Sequence, residues 1–447
     1  MRSFLVVLVI ASLVGGGIFF LYVYQKNSII ESIEDDLMNI LSSQKVVVTD
    51  VQIDPDKVHL NPMSVFPDWA VDVVAEDVKA SIKSLSGEGV LKVGNIKMEY
   101  PLFRSGDLRF CSADDTSLVY GDEKIDLNFS LKDVTFEPCS ALNGGLSPMS
   151  VSLRNIVVEL KDGKEAGGMN VIDARADSLL YSIRGNWQSM PVVEDTDNLD
   201  SLVNKVNKWR LTANLDKNYR DLWVLNWEMA NFSLDMVGPD EKANCSINRT
   251  SVMSRGFLDE KRKIWLELTY NLQDLVVDGW GIKEQLEQAG LSASDLWPLK
   301  SSFKASVSDL PSEVLAAGLI LQREARKSEP DQMILGYVTM YLVGLMTQKQ
   351  LPIYLEASFD LPGDTGGVAN IDGSFSAGSF TGSGTLMFKG LDRIMPRLRG
   401  ADRDKVELLV SENLKCDETL EICSGRLEIS GGSVRVYPEK VGPGFKE

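Results

Sequence analysis

The chain has 447 residues, 44% hydrophobic and 25% charged, with 64 acidic against 46 basic side chains, a net charge of −18 and a single histidine. A length and composition of this kind bury a core spread over roughly three domains, or over one or two enlarged β-rich ones. The acidic surplus repels nucleic-acid backbones and anionic headgroups, so no nucleic-acid partner is expected, and with only His59 neither a multi-histidine metal site nor a triad with two histidines can form.

Residues 1–3 form a short, positively charged start, and from Phe4 to Tyr24 there is no charge. These 21 residues make a helix of roughly 31 Å at ~1.5 Å per residue, long enough to cross a hydrocarbon core. The run is longer than the roughly 7–15 residues of a cleaved signal peptide and lacks a small-x-small site, so residues 4–24 are expected to remain as a transmembrane signal anchor. Arg2 precedes the run while Glu31, Glu34, Asp35 and Asp36 follow it, and that bias leaves the N-terminus cytoplasmic and exports the rest. Ile29, Ile30, Ile33, Leu37, Ile40 and Leu41 then recur at helical spacing, predicting an amphipathic helix over 25–41.

From Val46 the period changes to two, and the exported residues 42–447 read as a β-rich domain. Alternation is clear over Ile125–Leu131, Trp265–Leu272, Ile353–Leu361 and near the end in GRLEISGGSVRVYP. Within this region the pattern apolar, any, Asp or Asn, apolar recurs at Asn95, Asp133, Asn155, Asn231, Asp274 and Asp309. The apolar phase slips by one residue there, which would turn the rest of a strand inside out unless a β-bulge or tight bend absorbs it. Asp and Asn suit such a place because they tolerate unusual φ and bond to nearby backbone. The prediction is a mainly β (α+β) chain: one long, coiled antiparallel sheet with bulged strands.

Helices interrupt it. Thr196–Lys208 places Leu199, Leu202, Val203 and Val206 on one face, after an acidic loop that marks a soft boundary near 190–208. A helical insertion packed on the sheet is predicted over 281–347. In it Asp309 and Pro311 start one helix, Pro330 ends it, and Asp331–Thr347 forms a second. The uncharged run MILGYVTMYLVGLM is too short to span a bilayer, so it is read as a buried helix with Met333, Tyr337, Met340 and Tyr341 as a core stripe. Glycines 373, 378, 382 and 384 among Ile371, Phe375 and Phe380 predict closely packed hairpins, followed by helical pieces at 391–398 and 402–413.

The chain offers little chemistry. Cys416 and Cys423 are spaced to close a hairpin and Cys111 and Cys139 bracket a strand-like run, so both pairs are candidate disulfides, with Cys245 left over; the alternative is five reduced core thiols. Asn-x-Ser/Thr triplets at Asn231, Asn244 and Asn248 matter only in a glycosylating pathway. Asp364-Thr-Gly366 matches the carboxylate triplet of aspartic proteases but has no second copy, and a turn is the better reading. Gly378–Gly384 lacks the spacing of a phosphate loop, and the acidic run 194–200 puts Leu199 at a calcium-ligand position. No catalytic residue, metal ligand or cofactor is assigned, and no enzymatic activity is expected.

An N-terminal anchor, alternating strands punctuated by that Asp/Asn pattern, and Gly-rich strands near the end together resemble the AsmA-like proteins of the Gram-negative envelope and related single-anchor families of unknown function. The resemblance implies a single-pass inner-membrane protein, its bulk periplasmic, whose coiled sheet carries a concave apolar face able to hold phospholipid acyl chains. The function it implies is support of envelope homeostasis by binding or transferring phospholipid. The alternative is a structural protein, its groove filled by its own helices, that docks other envelope proteins.

Overall fold

The computed structural model describes residues 46–61, 70–84, 87–101, 109–122, 125–141, 149–162, 170–184, 198–212, 221–238, 242–279, 298–325, 331–376, 379–397, 400–417 and 421–439, with Glu31, Pro191, Val193, Glu194 and Gln288 between them. The anchor at 4–24 lies outside the described residues, as does the helix at 25–41 apart from Glu31. Among the described residues no helix is long and apolar enough to cross a membrane.

Antiparallel sheet dominates. Its strands are β1 (Val46–Gln52), β2 (Val58–Asn61), β3 (Ala70–Ser84), β4 (Gly87–Pro101), β5 (Arg109–Asp122), β6 (Ile125–Ala141), β7 (Met149–Asp162), β8 (Asn170–Arg184), β9 (Asp221–Val237), β10 (Lys242–Leu258), β11 (Ile264–Gly279), β12 (Lys300–Leu310), β13 (Leu351–Leu361), β14 (Thr365–Ser376), β15 (Ser379–Lys389), β16 (Lys415–Cys416), β17 (Ile422–Ser430) and β18 (Ser433–Pro438). The helices are α1 (Leu199–Thr212), α2 (Ser312–Ala325), α3 (Gln332–Gln348), α4 (Leu391–Ile394) and α5 (Gly400–Asn413). They form two compact units, one built on β1–β7 and one on α1, β9–β18 and α2–α5, and β8 runs from the first into the second.

In the first unit β3 to β7 pair in chain order, while β1 and β2 share the outer edge of β3 with a 3-10 turn, Pro55–Lys57, between them. Strands β3, β4, β5, β6 and β7 have 15, 15, 14, 17 and 14 residues, far beyond the usual about 5–6. A left-handed residue lies mid-strand in three of them: Asp77 in β3, Asp115 in β5 and Asn155 in β7, with φ of 53°, 44° and 50°.

Burial shows what these residues do. In β3 the buried side chains are Val73 and Ala75 before Asp77, then Val78 and Ala80 after it; in β4 they are Val93, then Ile96 and Met98. The apolar phase slips by one in both partners at the same level, yet pairing keeps its register, with Glu76 opposite Asn95 and Val78 opposite Val93. Asp114 opposite Asp133 and Thr116 opposite Leu131 repeat this between β5 and β6. The expected one-strand bulge is therefore a crease crossing several strands, and the left-handed residue turns the second arm of each strand so that both arms face one core. That core holds Val73, Ala75, Val78 and Ala80 together with Val48, Val58, Met98 and Phe110. At the sheet edge the 3-10 turn lies at the same level, capped by Asp54, and its Lys57 side chain bonds to Asp77. Asn95 and Asp133 are not left-handed; they belong to the crease through their neighbours, Asn95 Nδ2 donating to Asp114 Oδ2 at 3.0 Å.

The second unit repeats the device in β9 and β11, where Asn231 and Asp274 have φ of 48° and 50°, and Asp309 at the end of β12 has 56°. Between β10 and β11 the register is unbroken from Ala243 opposite Gly279 to Leu258 opposite Ile264, and Asn248 Nδ2 donates to Asp274 Oδ2 at 2.9 Å across the crease. Strands β13, β14 and β15 have only 11, 12 and 11 residues and no left-handed residue inside them. Their glycines admit aromatic rings, as expected: Gly373 lies opposite Gly382 and Phe375 opposite Phe380, and a Cβ on either glycine would meet the Phe380 ring.

The helical zone departs from the expectation in two ways. Strand β12 runs through its middle, because Lys300–Leu310 finds partners in both β11 and β13. Three of the four residues of the Met/Tyr stripe of α3 also face outward, Tyr341 alone packing inward: Met333, Tyr337 and Met340 are 84%, 58% and 71% exposed, with Val343 at 58%. The opposite face, led by Val338 with Ile334, Tyr341 and Leu342 beside it, packs with α1, α2 and the ends of β9–β12. A helix apolar all round has two faces that periodicity cannot tell apart, and tertiary packing chose between them. Asp331 caps α3 by accepting from the Met333 and Ile334 amides at 2.9 and 3.2 Å. Helix α1 begins at Leu199 with Asn198 accepting from the Ser201 amide at 2.8 Å, and it buries Leu199, Leu202, Val206 and Trp209.

Candidate functional site: an apolar groove beneath α5

The second unit's core seals one end of its sheet; the other end carries an open groove of about 420 Å³ lined by Leu386, Phe388, Leu391, Val406, Leu409, Val410, Asn413, Leu414 and Val436. Strand alternation points Leu386 and Phe388 to the same side of β15. In α5 the lining residues fall at 406, 409, 410 and 413, one helical stripe that Leu414 just past its end continues. Gly425 of β17 lies opposite Leu386, and a Cβ there would come within 2.8 Å of the Asn413 carbonyl oxygen and 2.9 Å of Val436 Cγ1. Glycine is thus required for the helix end and β18 to approach the strand this closely.

Two fastenings hold the walls. Gly390, at φ 76°, opens the turn into α4; its amide donates to the Glu421 carbonyl at 2.8 Å. A disulfide joins Cys416 to Cys423, residues directly paired between β16 and β17, with Cα atoms 3.9 Å apart, and Phe388 is the β15 neighbour of Cys423. The other pair, Cys111 and Cys139, is joined between β5 and β6 in the first unit, Cα atoms 4.2 Å apart. Cys245 is half-buried, and burial pushes its thiol up, away from nucleophilic reactivity.

The groove can hold apolar matter and can do little else. Among the described residues its one polar liner is Asn413, which spends its amide on the Leu409 carbonyl at 2.9 Å. Among the described residues no acid, base or nucleophile lines it. A second concavity, of about 360 Å³ between β10 and β13, is polar, and several of its groups are already engaged: Ser302 and Ser358 hydroxyls at 2.7 Å, Asn271 to Ser251 at 3.3 Å, and Arg249 to Glu228 outside it at 2.6 Å. Among the described residues the one trio with metal-ligand reach is Glu99, Cys111 and Cys139, whose sulfurs are already bonded to each other.

Residues weighed for chemistry in the sequence fall to structural places. Asp364, at φ 60°, lies in the β13–β14 turn with Gly363 and pairs with Lys389 at 2.8 Å. His59 lies on the exposed edge strand β2, 3.7 Å from Glu76. Gly382 and Gly384 lie within β15. The groove residues were not singled out beforehand, although the apolar spacing of Val406, Leu409, Val410 and Leu414 was there to find; α5 is otherwise so polar that its stripe is faint. Compared with known protein families, with curated proteins and with solved structures, the chain matches none.

Proposed function

We propose that this is an inner-membrane-anchored protein, its bulk in the periplasm, that binds the acyl part of a phospholipid and thereby supports the envelope. The observation that carries the reading is the groove beneath α5: a volume within the range of small-molecule sites, about 300–1,000 Å³, with a lining apolar but for one amide that is already satisfied. Anchoring by residues 4–24, two disulfides suited to an oxidising compartment and the resemblance to AsmA-like proteins point the same way.

A photoactivatable phospholipid offered to the full chain in vesicles tests it. Cross-links are expected in peptides carrying Leu386–Leu391 and Val406–Leu414, and they should fall sharply in Leu409→Asp, whose side chain lines the groove yet is 60% exposed, so the fold survives. Cross-links that avoid these peptides, or that ignore the substitution, would sink the reading. The alternative, an envelope protein that docks partners and carries no lipid, draws on the helical core that fills the apolar side of β9–β12 with Leu202, Val206, Ala316 and Val338. Lipid-free protein on native mass spectrometry would favour it.

A further inference from the structure

We infer that the outer face of α3 is a second membrane contact, lying in the interfacial plane of the bilayer to which the chain is tethered. The helix runs 17 residues from Gln332 to Gln348 without a charged side chain. One face is committed to the core through Val338, Tyr341 and Leu342, so the helix cannot span. The other presents Met333, Tyr337, Met340 and Val343, all exposed.

Such a face has to be covered by something, and two observations select lipid. First, its polar groups suit an apolar medium: the exposed Thr339 hydroxyl is turned onto the helix's own Leu335 carbonyl at 2.8 Å, the internal satisfaction that hydrocarbon demands and water does not. Glutamine occurs only at the two ends, and Tyr337 carries the ring-plus-hydroxyl chemistry favoured at headgroup level. Second, the uncharged run Phe4–Tyr24, outside the described residues, is long enough to hold the chain against a bilayer. In a chain of net charge −18, a charge-free helix is also a surface that approaches anionic headgroups without repulsion. An interfacial helix buries its apolar face about 5–10 Å into the headgroup boundary, a depth that methionine and tyrosine side chains reach. The inference rests on the anchored reading, and the experiment separates the two.

Full-length protein with Cys245→Ala and either Met333→Cys or Met340→Cys, labelled with the fluorophore NBD, is reconstituted in phosphatidylcholine vesicles with or without doxyl groups on the acyl chains. Both label sites are exposed, so the core is untouched. The expected result is loss of most NBD emission in doxyl vesicles together with loss of quenching by aqueous iodide. Vesicle flotation reports the anchor independently. A chain that fails to float overturns both readings, whereas one that floats with iodide-accessible, doxyl-insensitive NBD overturns only the α3 contact. A label shielded from iodide and blind to doxyl also overturns it, because protein would then be the cover: a second copy, or residues 25–45 of the same chain.

Discussion

The two units use one device and finish it differently. Each carries long strands creased by left-handed Asp or Asn, so that the two arms of a strand bury the same face. The first unit then closes its core without a helix, with strand residues from Val48 to Phe110 and Ile53 beside the 3-10 turn. The second recruits α1, α2 and α3 to cover the sheet around Leu258, Ile264 and Leu310. A helix that covers a sheet has an outer face of its own, and a sheet covered at one end stays open at the other. The second unit therefore carries both the α5 groove and the exposed α3 stripe, which is why function is proposed there.

The sharpest break falls on the helical cover. Glu324 in α2 is fully buried, its carboxylate taking the Arg323 guanidinium at 3.0 Å, while Arg323 also bonds to the Glu194 carbonyl. Glu324→Ala breaks this buried ion pair and should cost about 3–5 kcal/mol. Hydrogen exchange should show the loss in α2 and α3 and leave β3–β5 protected; equal loss in both units would mean the contrast between them is false.

The disulfides come next, one in each unit. Cys111 and Cys139 are 28 residues apart and Cys416 and Cys423 are 7 apart. Loop-closure entropy predicts that replacing the first pair by alanine costs about 3–4 kcal/mol and the second about 2. Urea midpoints of the two double variants should fall in that order. Smaller again is the crease. Valine at Asn155 or at Asn231 should each lower stability by about 1–2 kcal/mol, since a β-branched residue resists the left-handed region. Glycine at the same sites should be nearly neutral. A harmless valine at one site only would show that the crease belongs to one unit.

The smallest effect is acid sensitivity. Burial pushes the Glu313 carboxyl up, but the hydrogen bond and charge of Lys349 at 2.9 Å outweigh it and hold the group below its ordinary 4.5. A depressed carboxylate contributes stability above its ordinary value and loses it as pH falls through the depressed one. With Lys349 nearly half exposed the loss should stay under about 1 kcal/mol. Urea titrations below pH 4.5 should show it in the wild-type chain and not in Lys349→Met.

Much of the sheet was legible beforehand because alternation is a local property. Ile125–Leu131, Trp265–Leu272 and Ile353–Leu361 all lie in strands, and Asn155, Asn231, Asp274 and Asp309 all take a left-handed conformation where their pattern marked a bulge or bend; Asp309 does so at the end of β12 and not as the start of α2, which begins at Ser312. Asp77 and Asp115 were missed although Ala75-Glu-Asp77-Val78 and Ala113-Asp-Asp115-Thr116 repeat the motif in weaker form, alanine standing for the larger apolar residue and threonine closing the second. That the slips align into one crease could not be read, because alignment depends on which residues face each other across strands. The same limit hid the groove: Leu386, Gly425 and Val410 are far apart in the chain and meet only when β15, β17 and α5 pack.

What the chain's own order of residues determined is the strand period, the places where the phase slips, the start of α3 at Asp331 and the pairs of cysteines near enough to join. Tertiary packing alone decided which face of α3 is buried. Its sequence is apolar around the whole circumference, so nothing local distinguishes Val338 from Met340; only the shape of the surface offered by α1, α2 and the sheet does, and it takes Ile334, Val338, Tyr341 and Leu342 and leaves Met333, Tyr337, Met340 and Val343 outside.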